Sequence, residues 1–133
     1  MSFIRKLEKN EVRFVVTTDE DDHAPDQDFD LDPECLKVIK KRMKEGSIWA
    51  WCTIVVRAHW KAQRNLCTGT ATLGGCSYES EEDFRANSGY FEQMCDEALA
   101  DLQENMEDHA RLLEPLITQA SYEEWLVEKT HEE

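Results

Sequence analysis

The stretch from Ser47 to Trp60 constrains the fold most, because it is the longest apolar, β-branched and aromatic run in the chain. Such a composition favours one long β-strand. Side chains alternate across a sheet, so one face is apolar throughout and is predicted to carry the core: Ile48, Ala50, Cys52, Ile54, Val56, Ala58 and Trp60. The opposite face begins with Trp49 and Trp51, which are predicted either to form an aromatic platform for a partner or to lie covered.

Two further strands and a set of helices complete the predicted fold. Apolar alternation predicts a strand over about 11–18, and a polar connection of hairpin length leads into a returning strand over about 65–74. Capping residues and apolar spacings of three and four predict helices over about 33–45, 88–113 and 121–131, with a short helical turn over 81–86. The fold class is therefore α+β: a small three-stranded antiparallel sheet with helices packed on one face, in a single domain over 1–133.

Charge lies in blocks along the chain. The sequence has 29 acidic and 15 basic residues, for a net charge of −14. Residues 19–32 are rich in Asp and poor in apolar anchors, so we expect an exposed acidic loop there. Residues 65–133 hold seventeen acidic and three basic groups. A protein with this charge repels phosphate backbones and anionic lipid, so we expect neither direct nucleic-acid binding nor a membrane partner.

The cysteines and the N-terminus indicate the compartment and argue against a catalytic site. The five cysteines are odd in number and widely spaced, which favours reduced thiols, and no signal core or membrane-spanning run is present, so we expect a cytoplasmic protein. Cys52 falls on the predicted core face, and His59, Cys67 and Cys76 lack the spacing typical of a zinc site. We therefore expect no catalytic residue, no cofactor and no metal.

The helix over 88–113 carries the strongest functional signal. Its faces away from the apolar stripe are acidic, with hardly a compensating Lys or Arg. Carboxylates three or four residues apart on a helix lie about 5–6 Å from one another. A row of them can present negative charge much as a nucleic-acid backbone does to a groove of Lys and Arg. The predicted partner-binding residues are Glu92, Asp96, Glu97, Asp101, Glu104, Glu107 and Asp108, together with Trp49 and Trp51.

One segment resembles a known group of proteins. The stretch Leu-Gly-Gly-Cys-Ser-Tyr-Glu-Ser-Glu-Glu-Asp-Phe, residues 73–84, is similar to small uncharacterised acidic proteins of phages, plasmids and integrated mobile elements. The preceding Trp-Ala-Trp-Cys and the following Gly89-Tyr-Phe belong to the same match. The resemblance implies no known activity. It implies that the gene belongs to mobile elements. Small acidic proteins of such elements often resemble anti-CRISPR and anti-restriction inhibitors in size and charge.

The leading hypothesis is a non-enzymatic interaction protein that binds and inhibits a nucleic-acid-handling host protein, such as a restriction or CRISPR effector, as a nucleic-acid mimic. A second hypothesis is a protein-binding or homodimerisation module that uses the Trp-bearing sheet or the basic helix over 33–45, with acidity serving only solubility. A third is a small enzyme built on Cys52, Cys76 or His59.

Overall fold

Three antiparallel strands form one sheet in the order β1, β2, β3. In the computed structural model, which describes residues 4–27 and 31–116, β1 is Val12–Asp19, β2 is Cys52–Trp60 and β3 is Thr68–Cys76. The strand β2 lies in the middle because it pairs with β1 on one side and with β3 on the other. The predicted α+β fold with a three-stranded antiparallel sheet is confirmed.

The central strand is shorter than the predicted 47–60. Ile48–Ala50 forms a 3-10 turn in which the Ala50 amide donates to the Ser47 carbonyl at 3.3 Å, and the strand begins only at Cys52. The chain enters this region from a helix that ends at Lys44, and Gly46 follows with a φ of +88°, so the chain must turn before it can join the sheet. The prediction of one continuous strand is wrong for its first residues because tertiary geometry overrides local β propensity.

The other two strands agree with prediction to within a few residues. β1 begins and ends one residue later than the predicted 11–18. β3 begins later than the predicted residue 65, because the Leu66 amide still donates to the Gln63 carbonyl at 3.4 Å and so belongs to the hairpin turn. The two strands join β2 with regular pairing over their central parts, where Val16 and Ala71 both lie opposite Val56.

Among the described residues, three α-helices accompany the sheet: α1 over Pro33–Lys44, α2 over Glu81–Asn87 and α3 over Phe91–Leu113. Side chains cap the first two of these helices, since Asp32 accepts from the Glu34 amide and Ser80 accepts from the Asp83 amide, each at 3.1 Å. The predicted helices over 33–45, 81–86 and 88–113 are thereby confirmed with small shifts at their ends. The predicted helix over 121–131 lies outside the described residues.

The core lies between the sheet and the helices α2 and α3. The β2 side chains that face it are Cys52, Ile54, Val56 and Ala58, all at most 2% exposed. Phe84 of α2 is completely buried and is ringed by aromatic side chains, with Tyr78 at 5.4 Å and Phe91 at 6.0 Å between ring centroids. The predicted core face of β2 is therefore correct from Cys52 onward, whereas Ile48, which the 3-10 turn removes from the strand, is 67% exposed.

The described part of the acidic loop is tied to the body. The Asp21 carboxylate accepts from the Gly75 amide and, at 2.9 Å, from the Thr53 hydroxyl. Asp26 pairs with Lys40 of α1 at 2.8 Å, so the loop supplies a counter-ion to the basic helix. None of the helices in residues 4–27 and 31–116 is long and apolar enough to cross a membrane.

Candidate functional site

All seven predicted acidic residues lie on α3, on the part of the helix turned away from the core stripe. Helical geometry divides them into two groups. The first, named here the acidic row, has spacings of four, three and four and consists of Glu97, Asp101, Glu104 and Asp108. The second, named here the N-terminal flank because it lies beside the N-terminal segment of the chain, consists of Glu92, Asp96 and Glu107.

The N-terminal flank is largely engaged within the molecule. Lys9 donates to Glu92 at 2.8 Å and to Asp96 at 3.0 Å. These two carboxylates raise the pKa of Lys9 above its usual range. The third carboxylate, Glu107, accepts from the side chain of Gln103 at 3.1 Å. A cation from before the first strand therefore offsets part of the charge that the helix alone presents.

Asp101 of the acidic row connects α3 to β3. Its Oδ2 accepts from the Thr70 amide of β3 at 2.8 Å, and Asn105, one turn further along α3, donates to the Thr68 carbonyl at 2.8 Å. Both side chains therefore satisfy backbone groups on the outer edge of β3. Asp101 is still half-exposed, so its charge contributes to the row while its position is fixed.

The other three members of the acidic row point into solvent. Glu97 accepts only from the neutral Gln93 side chain, at 3.1 Å, and Glu104 has no hydrogen bond or ion pair within the described chain. Asp108 pairs with Arg111 at 2.9 Å, but that pair is exposed and weak. At 1.5 Å per residue the row extends over about 16 Å. It is a line of little-compensated negative charge on a rigid helix.

The two tryptophans, predicted either to form an aromatic platform or to lie covered, both lie outside the strand β2. Trp49 lies in the 3-10 turn and stacks on Phe84 at 6.4 Å between ring centroids. Trp51 precedes β2, and its indole nitrogen donates to the His23 carbonyl at 2.7 Å. The shared sheet face predicted for Trp49 and Trp51 is wrong because neither residue is in the strand. A partner-binding role for them stays a prediction. The observed contacts show that both rings join parts of the fold that are distant in the chain.

The cysteines named in the enzyme hypothesis are buried. Cys52 and Cys76 lie opposite each other where β2 meets β3. Burial raises the pKa of each thiol to about 11. A nucleophilic thiolate requires a lowered pKa and an accessible sulfur, so the observed surroundings favour the unreactive thiol.

His59 lies far from these thiols. It pairs with Thr68 at the hairpin end of the sheet, whereas Cys76 pairs with Cys52 at the other end. His59 is seven positions along the strand from Cys52, which corresponds to about 24 Å. Within residues 4–27 and 31–116, no group of three or more His, Cys, Asp or Glu side chains could hold a metal ion.

Sequence reasoning missed the residues that connect the acidic surfaces to the fold. Lys9, Asp21 and Asn105 were not predicted to have a specific role. The spacing of Asp101 and Asn105, one helical turn apart, was the only local signal for the contact with β3. The Lys9 and Asp21 contacts join residues far apart in the chain and have no local pattern.

Comparison with known proteins identifies no relative. No protein-family model, no curated protein and no solved structure matches the chain. Of the four members of the acidic row, only Asp108 has an ion-pair partner in the described chain.

Proposed function

We propose that this chain is a non-enzymatic interaction protein that binds and inhibits a nucleic-acid-handling host protein, such as a restriction or CRISPR effector, through the acidic row of α3. The observation that carries the proposal is the row itself: aligned carboxylates on one rigid helix with little internal compensation. A groove lined with Lys and Arg binds such a line as it binds phosphates. The resemblance of residues 73–84 to proteins of mobile elements points in the same direction.

The mechanism is occupation of the groove. Seventeen acidic residues against three basic ones in the second part of the chain give a field that steers the protein toward a cationic surface. Docking would place Glu97, Glu104 and Asp108 where phosphates would lie, and the bound helix would exclude the nucleic acid. Because the attraction is electrostatic, the complex should weaken steeply as salt is raised.

The test is a pull-down of the tagged protein from host lysate at low and high salt, followed by mass spectrometry. The informative variant reverses the three solvent-facing members of the row, Glu97→Lys, Glu104→Lys and Asp108→Lys. Asp101 is left unchanged because it bonds to β3. We expect this variant to retain its fold by circular dichroism and to lose a salt-sensitive nuclease or effector by at least about tenfold, roughly 1.4 kcal/mol.

A matched control separates the row from net charge. Glu20→Lys, Asp22→Lys and Glu45→Lys together make the same change in charge at exposed positions away from α3. This control should keep the partner. Equal loss in both variants would indicate general charge attraction, and retention of the partner by the row variant would contradict the mimic mechanism.

A second candidate function, a binding module that uses α1, has one observation in its favour. A largely apolar groove of about 470 Å³ lies along this helix, lined in part by Cys35, Val38 and Ile39. Val38 is 58% exposed, and Lys41 and Lys44 on the same helix have no ion-pair partner in the described chain. A partner that remains bound at high salt and is lost with Val38→Asp would favour this function over the acidic row.

A further inference from the structure

The outer edge of β1 carries backbone groups that nothing in the described chain satisfies. In an antiparallel pair, alternate residues bond to the neighbouring strand and the others point away from it. The Lys61 amide donates to the Glu11 carbonyl at 3.0 Å, in line with the regular register between β1 and β2. Odd-numbered residues of β1 therefore bond to β2. The residues that direct their amides and carbonyls outward are Val12, Phe14, Val16 and Thr18.

The outer edge of β3 shows what a satisfied edge looks like in the same sheet. By the same alternation its outward residues are Thr68, Thr70 and Thr72. Two of them are bonded by α3, through Asn105 to the Thr68 carbonyl and Asp101 to the Thr70 amide. Across the described chain, no comparable hydrogen bond reaches the outward groups of β1.

β1 has few of the features that protect an edge strand. Natural edge strands are protected by charged side chains, by proline, by bulges or by short length. β1 has eight residues in unbroken register with β2 and contains neither proline nor glycine. Its two charged residues, Arg13 and Asp19, lie on the sheet face opposite the core. Both are exposed, and neither has an ion-pair partner among residues 4–27 and 31–116.

We propose that β1 pairs with β1 of a second copy of this chain, antiparallel about a twofold axis at Val16. In this register Val16 lies opposite its own copy, and Phe14 lies opposite Thr18, so the outward groups bond to one another. On the other face Val15 lies opposite Thr17, and Arg13 lies opposite Asp19 of the second copy. The twofold axis repeats this ion pair at the other end of the interface.

Charge favours this register over the one with its axis at Val15. Opposite charges directly across a strand pair are favourable and like charges are unfavourable. A shift of the axis to Val15 keeps the same backbone alternation but sets Glu11 opposite Asp19 and leaves Arg13 opposite Thr17. The axis at Val16 therefore uses both unpaired charges of β1, and two three-stranded sheets become one of six strands.

Reciprocal charge reversal tests the register. Sedimentation velocity over a dilution series should give a dimer for the unchanged protein. Arg13→Asp or Asp19→Arg alone converts two attractive pairs into two repulsive ones and should weaken the dimer at least about tenfold. The double variant Arg13→Asp, Asp19→Arg restores attraction and should return the dissociation constant to near its original value. Arg64→Asp and Asp22→Arg make the same charge changes at exposed sites off this edge and should leave the dimer unaltered.

Hydrogen exchange by NMR gives a readout that does not depend on the variants. In the dimer the amides of Phe14, Val16 and Thr18 should exchange slowly, and on dilution they should become fast. The amides of Val15 and Thr17, which bond to β2, should stay protected at every concentration.

Three results would overturn the proposal. The chain could be a monomer at every concentration, or it could form a dimer that neither single reversal weakens. The even-numbered amides could also become protected only when a different protein is added, which would assign the edge to a foreign strand.

Discussion

The two edges of one small sheet differ sharply in how their backbone groups are satisfied. At β3, the helix α3 approaches so closely that a side chain at Gly69 would overlap the Ala98 carbonyl and the Leu102 amide. That approach brings Asp101 within hydrogen-bonding distance of the Thr70 amide. At β1 no helix offers polar side chains to the outward groups in the described chain.

The difference comes partly from the strands themselves, because Gly69 of β3 leaves room for the backbone of α3, whereas β1 contains no glycine. It also comes from where the acidic helix lies. The lesson is that an acidic residue on an exposed helix can have two roles at once. Asp101 seals an edge, whereas Glu104, three residues further along, has only solvent around it in the described structure.

The largest expected effect comes from Gly69→Ala, which disrupts the close packing of α3 on β3. The added methyl group would meet backbone atoms of α3 that cannot move independently of the helix. Overpacking in a core typically costs 1–3 kcal/mol, and a backbone clash should place this variant at or above about 3 kcal/mol. Urea denaturation measures the change in the free energy of unfolding.

Gly74→Ala, in the same strand, is the control for this variant. The nearest atom to its new methyl group would be the Asp21 carboxylate at 3.2 Å, a side-chain atom that can shift. It should cost much less. Equal destabilisation by the two alanines would show that loss of glycine in the strand, and not the approach of α3, sets the stability.

A smaller loss is expected from Asp101→Ala, which unseals β3 without moving the helix. A hydrogen bond to a charged group contributes about 1.5–3 kcal/mol, and partial exposure of this one places the expected loss near the lower value. Glu104→Ala, on the same helix face, should change the unfolding free energy little. If both variants had the same stability, the Asp101 bond to Thr70 would have no energetic weight.

Local periodicity predicted most of the helices and strands but few of the contacts between elements that are distant in the chain. The alternation from Cys52 to Ala58 and the apolar stripe of α3 were visible in the sequence because each repeats within one element. The place of Trp49 was not, because it depends on Phe84, which lies far along the chain. β propensity describes a residue's own backbone and not the turn that brings the chain into the sheet.

The candidate site was predictable in composition but not in roles. The carboxylates of α3 could be counted, and their spacing defined a row. That Lys9 neutralises Glu92, across a separation of 83 residues, and that Asp101 bonds to Thr70 depend on the register of the strands and the crossing of the helix. Such contacts follow from tertiary geometry, which no local pattern encodes.

A loss of about 1 kcal/mol is expected from Asn105→Ala, which removes the neutral half of the seal. Its amide donates to the Thr68 carbonyl at 2.8 Å and lies 3.5 Å from the Asp101 carboxylate. Because the two side chains touch, the double variant with Asp101→Ala should cost less than the two single losses combined. Strict additivity in thermal or urea unfolding would mean that they act independently.

The smallest effect is expected from Asp21→Asn, near the C-terminal end of β3, and it should depend on pH. Burial raises the pKa of Asp21, but hydrogen bonds from the Gly75 and His23 amides and the Thr53 hydroxyl outweigh it, so the net pKa is below the usual value. A carboxyl with a lowered pKa in the folded state stabilises the fold above the unfolded value of about 3.9, and this contribution is lost as pH falls further. Asp21→Asn should therefore be less stable than the unchanged protein at neutral pH, and this difference in stability should disappear below about pH 4.

Asp22→Asn, an exposed neighbour, is the control and should follow the unchanged protein at every pH. If this difference in stability stayed constant down to low pH, the charge of Asp21 would not contribute to it. The carboxylate of Asp21 would then not stabilise this end of β3, in contrast to the carboxylate of Asp101 at the outer edge.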